Sequence, residues 1–351
     1  MIATGTAPDI VEIEPGITTS YVRFIEAEVF EDLAPYVERD GVDLSQYFES
    51  VLESYRYNGT LPVLPKKMGV PLVIYNKDFF DRAGVPYPDP EWTWDDLADT
   101  ARRLTRDLNG DGDMDEWAFA NGVFDGWHAP LLNGWTWTSP DGTRVPTSDP
   151  RFYEALEFRY DINNNHQFVA PPDVKSASGI PGYMFFTTGR AAMQEGDRWY
   201  VSYFRPVIQD SFDWDATWIP IPEGGTRVYQ LTSEAWGIPK QSQAKEAAWT
   251  FIKWASGPDG AMTWAANGGA IPTVKSLAYS PEFLEIGPPS PEGNRLWVEA
   301  INYAKPYPAS STWAEIFSRL GQLLGPAHRG ETSYRAAAEA AEPIVSLFLA
   351  Q

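Results

Sequence analysis

The chain has 351 residues, 43% hydrophobic and 21% charged, which is too long for one core and too apolar for disorder, so two lobes are expected. A formal charge of −21, from 48 Asp and Glu against 27 Lys and Arg, repels nucleic acid and anionic lipid and excludes both as expected partners. There is no cysteine to form a disulfide or a thiol nucleophile, and no run approaches the roughly 18 to 20 apolar residues needed to cross a bilayer.

Asp9-Ile10-Val11-Glu12-Ile13 reads as a β-strand close to the start of the chain. Helical spacing follows from Tyr21 to Leu33 and from Leu44 to Tyr55, where Leu44, Phe48, Leu52 and Tyr55 share a face. Pro71 to Asn76 is a second strand, and Asp78 to Gly84 a short helix stopped by glycine. Thr93 is the N-cap of a helix that runs to about Thr105, with Asp96 three residues on and acidic groups at the positive helix end. This alternation predicts an α/β lobe.

Helices are expected over Arg151 to Asn163, Pro181 to Thr188, Ala244 to Trp254, Asp259 to Ala266, Trp313 to Leu324 and Tyr334 to Leu349. Between them, Arg190 to Gly196 reads as a buried strand that ends by presenting Trp199, and Thr217 to Ile221 and Ala235 to Pro239 are extended. No repeat or low-complexity linker separates the lobes, so several chain crossings are expected to join them.

Two constellations could carry chemistry. Asp107, Asn109, Asp111 and Asp113 place oxygen ligands at alternate positions around Gly112, as in the first half of a calcium loop, but Ala118 stands where the full motif needs its bidentate Glu. With Glu116 as a further ligand this is a structural calcium site, and without a cation it is a solvated acidic turn; both readings stay open. The second is a set of rings near Gly, Pro, Asn or Ser: Trp127, Trp135, Trp137, Trp199, Trp236, Tyr303, Tyr307 and Trp313. An aromatic plane beside Asp, Asn or Arg matches a pyranose, which has a C–H face and a rim of hydroxyls. Singly, each Trp also reads as a core filler. Phosphate-binding, dinucleotide, serine-hydrolase and zinc-protease motifs are missing, and His128, His166 and His328 have no metal-ligand spacing.

Seven segments in order resemble the extracellular solute-binding proteins of carbohydrate ABC importers, the maltose and multiple-sugar type. They are Gly5 to Val11, Gly69 to Phe80, Trp92 to Leu97, Gly189 to Met193, Trp236 to Lys240, Glu246 to Trp254 and Gly268 to Thr273. The resemblance implies a two-lobed type II periplasmic-binding-protein-like fold, α/β with mixed sheets flanked by helices and a ligand cleft between the lobes. The lobes implied are residues 1–85 with 235–300, and 86–234 with 301–351. It implies a sugar or oligosaccharide ligand, delivery to the transmembrane permease, no catalysis and no required cofactor, and a monomer is expected; structural calcium stays open with the acidic loop.

By the same resemblance Trp199 falls on a stacking tryptophan, and Trp313 on an aromatic that faces the sugar. Trp127 falls near a region that supplies another ring, and Glu14 on a polar sugar contact. Met68 lies in a loop that faces the cleft, where some maltose binders carry an acid, which weighs against maltose itself. Trp236 and Tyr303 complete the expected ring contacts. Arg198 beside Trp199 leaves a glycerol phosphate-type polyol as the alternative ligand, and a secreted carbohydrate-active enzyme is a more distant one. Met1 to Ala7 lacks the features of a signal peptide, and relatives begin with a signal sequence and one further βα unit, so both are expected to be missing here. The full-length form is then expected to be periplasmic or a cell-surface lipoprotein.

Overall fold

The computed structural model describes residues 8–14, 19–124, 126–266, 268–306, 308 and 310–350. The expectations placed on Met1 to Ala7 and on Tyr307 lie outside the described residues. Nine strands occur among them: β1 (Val11–Ile13), β2 (Val63–Gly69), β3 (Leu72–Asn76), β4 (Trp117–Phe119), β5 (Ala191–Gly196), β6 (Trp214–Thr217), β7 (Tyr229–Gln230), β8 (Thr232–Gly237) and β9 (Ala304–Lys305). The chain divides into two compact units. Unit 1 comprises residues 1–70, 197–202 and 229–311, and unit 2 comprises 71–196, 203–228 and 312–351.

The sheet of unit 1 has the order β1-β8-β2, with both neighbours antiparallel to β8. Helices cover it: Tyr47, Leu52, Ala261 and Val274 form one cluster of its core, and Tyr47 donates its hydroxyl hydrogen to the carbonyl of Ser256 at 3.0 Å. A separate parallel pair joins β7 to β9. The stretch expected to be helical from Tyr21 to Leu33 is shorter. Its helix is Thr19–Glu26, and Phe30 instead makes an antiparallel bridge with Pro239, because Glu28 takes a positive φ of 48° that ends the helix.

In unit 2 the sheet runs β4-β5-β3-β6, with β5 and β6 antiparallel to β3 and β4 parallel to β5. β3, β4 and β5 are buried along their whole lengths, as strands covered by helices on both faces must be. Asn76 at the end of β3 accepts the N–H of Phe79 and so starts the helix Lys77–Ala83, which Gly84 ends at a φ of 63°. The helix Trp94–Leu104 carries the expected capping box: Thr93 accepts the N–H of Asp96, and Asp96 accepts the N–H of Thr93 at 2.8 Å. Two buried indoles at its start, Trp92 just before the cap and Trp94 just after it, donate to the carbonyls of Trp218 and Pro220.

The cap sets a local test. Thr93→Ala removes one reciprocal bond from an exposed helix end, and chemical denaturation should show unit 2 losing about 1 kcal/mol.

Candidate functional site

Unit 1 holds a pocket of about 370 Å³. Its floor is the end of the β2–β8 pair, where Lys67 lies opposite Glu234, Met68 opposite Ser233 and Gly69 opposite Thr232. Glu14, one residue past β1, joins the lining, as do Asp197 and Trp199, which follow β5, and Gly269. Trp199 is stacked on Tyr200 with ring centroids 3.9 Å apart, so the pocket's aromatic wall is backed by a second ring.

The β2–β8 register slips between Pro65 and Lys67. A bulge of this kind sets two residues against one, and here two successive lysines reach a single carboxylate. Lys66 Nζ is 2.9 Å from Glu234 Oε2 and 2.6 Å from Glu12 Oε2, while Lys67 Nζ is 2.5 Å from Glu234 Oε1. Burial works to raise the pKa of Glu234, but hydrogen bonds from Glu12, Lys67 and Lys66 outweigh it and hold it below the ordinary carboxylate value. Burial and then Glu234 raise the pKa of Glu12, while its hydrogen bond with Lys66 works the other way. The Lys66 ammonium also sits 5.0 Å from the ring centre of Trp236 and 4.8 Å from that of Trp264.

Asp197 has a different environment. It accepts the hydroxyl hydrogen of Thr232 and, at 2.5 Å, the N–H of Arg198, and among the described residues no side-chain cation is in hydrogen-bonding contact with it. A Cβ on Gly69 would lie 1.9 Å from Asp197 Oδ1, so the carboxylate occupies space that only glycine leaves. Burial raises its pKa, partly offset by Thr232, Arg198 and Lys67.

Of the ring and polar residues expected from sequence, Trp199, Glu14 and Met68 line this pocket. Trp236 does not: it lies opposite Glu12 on β8 and packs on Phe251 and Trp264. Arg198 is fully buried, donating to the Gly268 carbonyl at 2.5 Å and to Asn294 Oδ1 at 2.8 Å, with Phe283 and Trp297 rings each 5.3 Å away. Its side chain is therefore structural, which corrects its expected place as a ligand contact. Tyr303, 45% exposed in the turn Ile301–Tyr303, is not part of the lining.

Trp127 and Trp313 belong to unit 2 and join one ring network there. Trp127 packs against Phe152 and Phe317, and Trp313 meets Trp137 at 5.9 Å and Phe317 at 5.6 Å. Trp313 is buried, and Trp127 is partly exposed.

The acidic loop also lies in unit 2. Asp107 accepts the N–H groups of Asn109, Gly110 and Gly112, Asn109 accepts from Asp111, and Asp111 accepts from Asp113. Glu116 is a correction: it is buried and paired with Arg82 at 3.0 Å and with Arg106, so its oxygens are not available to the loop. Among the described residues no group of three or more acidic or histidine side chains is arranged to hold a metal ion.

The residues missed in sequence are Asp197, Glu234, Thr232 and Gly69. Their one legible signal is position, since Gly69 ends β2, Thr232 starts β8, and Asp197 follows the Gly that ends β5.

Residues 1–262 match the bacterial extracellular solute-binding protein family, and the chain belongs to that family. It is 28% identical to the arabinooligosaccharide-binding protein of Bacillus subtilis over 74% of this chain and 58% of that protein. It is 24% identical to the sn-glycerol-3-phosphate-binding periplasmic protein UgpB of Shigella dysenteriae, over 81% of this chain and 66% of that protein. The chain thus spans less than two thirds of either relative's length. An ABC substrate-binding protein of Listeria monocytogenes, solved in complex with cycloalternan, has the same fold. Its TM-score is 0.82 at 24% identity, over 98% of this chain and 85% of that one. The fold is accordingly the two-lobed α/β fold of periplasmic binding proteins. No helix among the described residues is long and apolar enough to cross a membrane.

Two substitutions test the geometry of the pocket floor. Lys66→Met leaves Glu12 and Glu234 without their shared cation, and thermal and chemical unfolding should show a loss on the order of 2 kcal/mol, less than for a fully buried pair because Glu12 is 44% exposed. Gly69→Ala should displace the Asp197 carboxylate, visible as a shift of its carboxyl resonance by NMR.

Proposed function

We propose that the protein binds a neutral sugar or oligosaccharide outside the cytoplasm and delivers it unchanged, as a monomer, to the permease of an ABC importer. The observation that carries this is the pocket of unit 1, where the Trp199 ring, backed by Tyr200, stands beside the carboxylates of Asp197 and Glu14. An aromatic plane takes the C–H face of a pyranose, and carboxylates accept from its hydroxyls. The arabinooligosaccharide-binding relative supports a saccharide.

A polyol phosphate is the second reading, supported by the glycerol-phosphate-binding relative. The charges weigh against it. Glu14, Asp197 and Glu234 line the pocket against Lys67 alone, and Lys67 is paired with Glu234. Arg198, the cation that reading needs, is spent on Gly268 and Asn294. In unit 2 we assign Trp127 as a further sugar-stacking ring, supported by its partial exposure, with Trp313 as its buried neighbour in the ring network.

Calorimetry with arabinotriose, maltotriose and glycerol 3-phosphate tests the reading. At least one saccharide should bind at micromolar strength with the glycerol phosphate weaker, and the reverse order would overturn the assignment. A stacked ring contributes on the order of 1 to 2 kcal/mol, so Trp199→Ala should weaken the saccharide about tenfold and leave the thermal midpoint of the free protein unchanged.

A further inference from the structure

We infer that Asp197 selects the ligand: its carboxylate takes two adjacent hydroxyls of the sugar held at Trp199 and turns away phosphorylated polyols. The inference rests on the sugar-binding reading above and goes beyond it by naming the chemical feature that is read, a vicinal diol, and the group that reads it.

The geometry begins with acceptor capacity. A carboxylate has about four lone-pair positions. Asp197 uses one for the Thr232 hydroxyl, on Oδ2, and one for the Arg198 N–H, on Oδ1. Each oxygen therefore keeps acceptor capacity, on a side chain that lines the pocket two positions along the chain from Trp199. Two oxygens of one rigid group, each ready for one further donor, match hydroxyls on neighbouring ring carbons better than a single hydroxyl.

The surroundings make that capacity selective. From β2 the pocket receives Lys67, and from β8 Glu234; these two neutralise each other at 2.5 Å. Glu14 adds a further negative group from beyond β1. No cation bonds to Asp197, so a phosphate placed beside it would meet like charge, whereas hydroxyl donors would meet a strong acceptor. Gly69 and Thr232 hold the group in place, the first by leaving it room and the second by its hydrogen bond.

Stability and binding then pull in opposite directions at this residue. Burial raises the pKa of Asp197, and an acid whose folded pKa lies above its unfolded one is protonated more readily in the folded chain. Its charge therefore costs stability at neutral pH, and stability contributed by this group rises as the pH falls through the folded value. Asn is isosteric and keeps both contacts, since its oxygen accepts from Arg198 and its amide donates to Thr232.

The experiment is calorimetry and thermal unfolding of the whole chain and of Asp197→Asn, with arabinotriose, maltotriose and glycerol 3-phosphate as probes. The expected result is a free-protein midpoint unchanged or raised, a loss of tenfold or more for the saccharide that wild type binds, and no loss for glycerol 3-phosphate. Equal saccharide affinity in wild type and variant overturns this inference and leaves the sugar reading standing. If wild type binds neither saccharide, both fall. Should the variant fail to fold, wild type decides: saccharide affinity must weaken as the pH is lowered from about 7 to about 4, and a flat profile overturns the inference.

Discussion

The antiparallel pairing of β2 with β8 is the constraint from which the site follows. Its register brings the ends of two strands, remote in sequence, to one edge, and its slip between Pro65 and Lys67 turns two lysines onto Glu234. Without the slip, alternation would send Lys66 and Lys67 to opposite faces of the sheet. Lys66 would stand directly opposite Glu234 and stay on the face it shares with Glu12, while Lys67 would turn away, so Glu234 would keep one cation instead of two. The polar floor of the pocket is thus a product of backbone register before it is a product of side-chain identity.

A charge network of this kind is costly to bury and is held only when every member is satisfied. Here that condition is met by four groups of alternating sign, Glu12, Lys66, Glu234 and Lys67, with two indoles beneath the Lys66 ammonium. Asp197 stands apart because its partners are neutral donors. Neighbouring acids in one pocket are thus held in unlike ways, Glu234 by two ammonium groups and Asp197 by a hydroxyl and a backbone N–H.

Much of the fold was legible in local sequence signals, since capping residues and glycines act over a few positions. Thr93 with Asp96, Asn76, and Gly84 each mark a helix boundary through hydrogen bonds or backbone freedom that need no tertiary context. β2 was not legible: Pro65 and two lysines break the apolar alternation that identifies a strand, and only pairing with β8 makes it one. Of the site, Trp199, Glu14 and Met68 were found through family resemblance, whereas Asp197 and Gly69 were not. Their relation is a contact between residues more than a hundred positions apart, and nothing in either neighbourhood announces it. Arg198 was misread for a related reason, because a basic residue beside a binding ring looks like a ligand contact until its buried partners are seen.

That buried guanidinium has a consequence for how much a ligand must do. Fixed to Gly268 and Asn294 and clasped by Phe283 and Trp297, Arg198 anchors the short segment that carries Asp197 on one side and Trp199 on the other. Both neighbours are held ready before any solute arrives, so little ordering entropy is left to spend at the moment of capture. Pre-organisation of this sort lowers the ordering cost on the protein's side, because the segment is set by its own buried contacts.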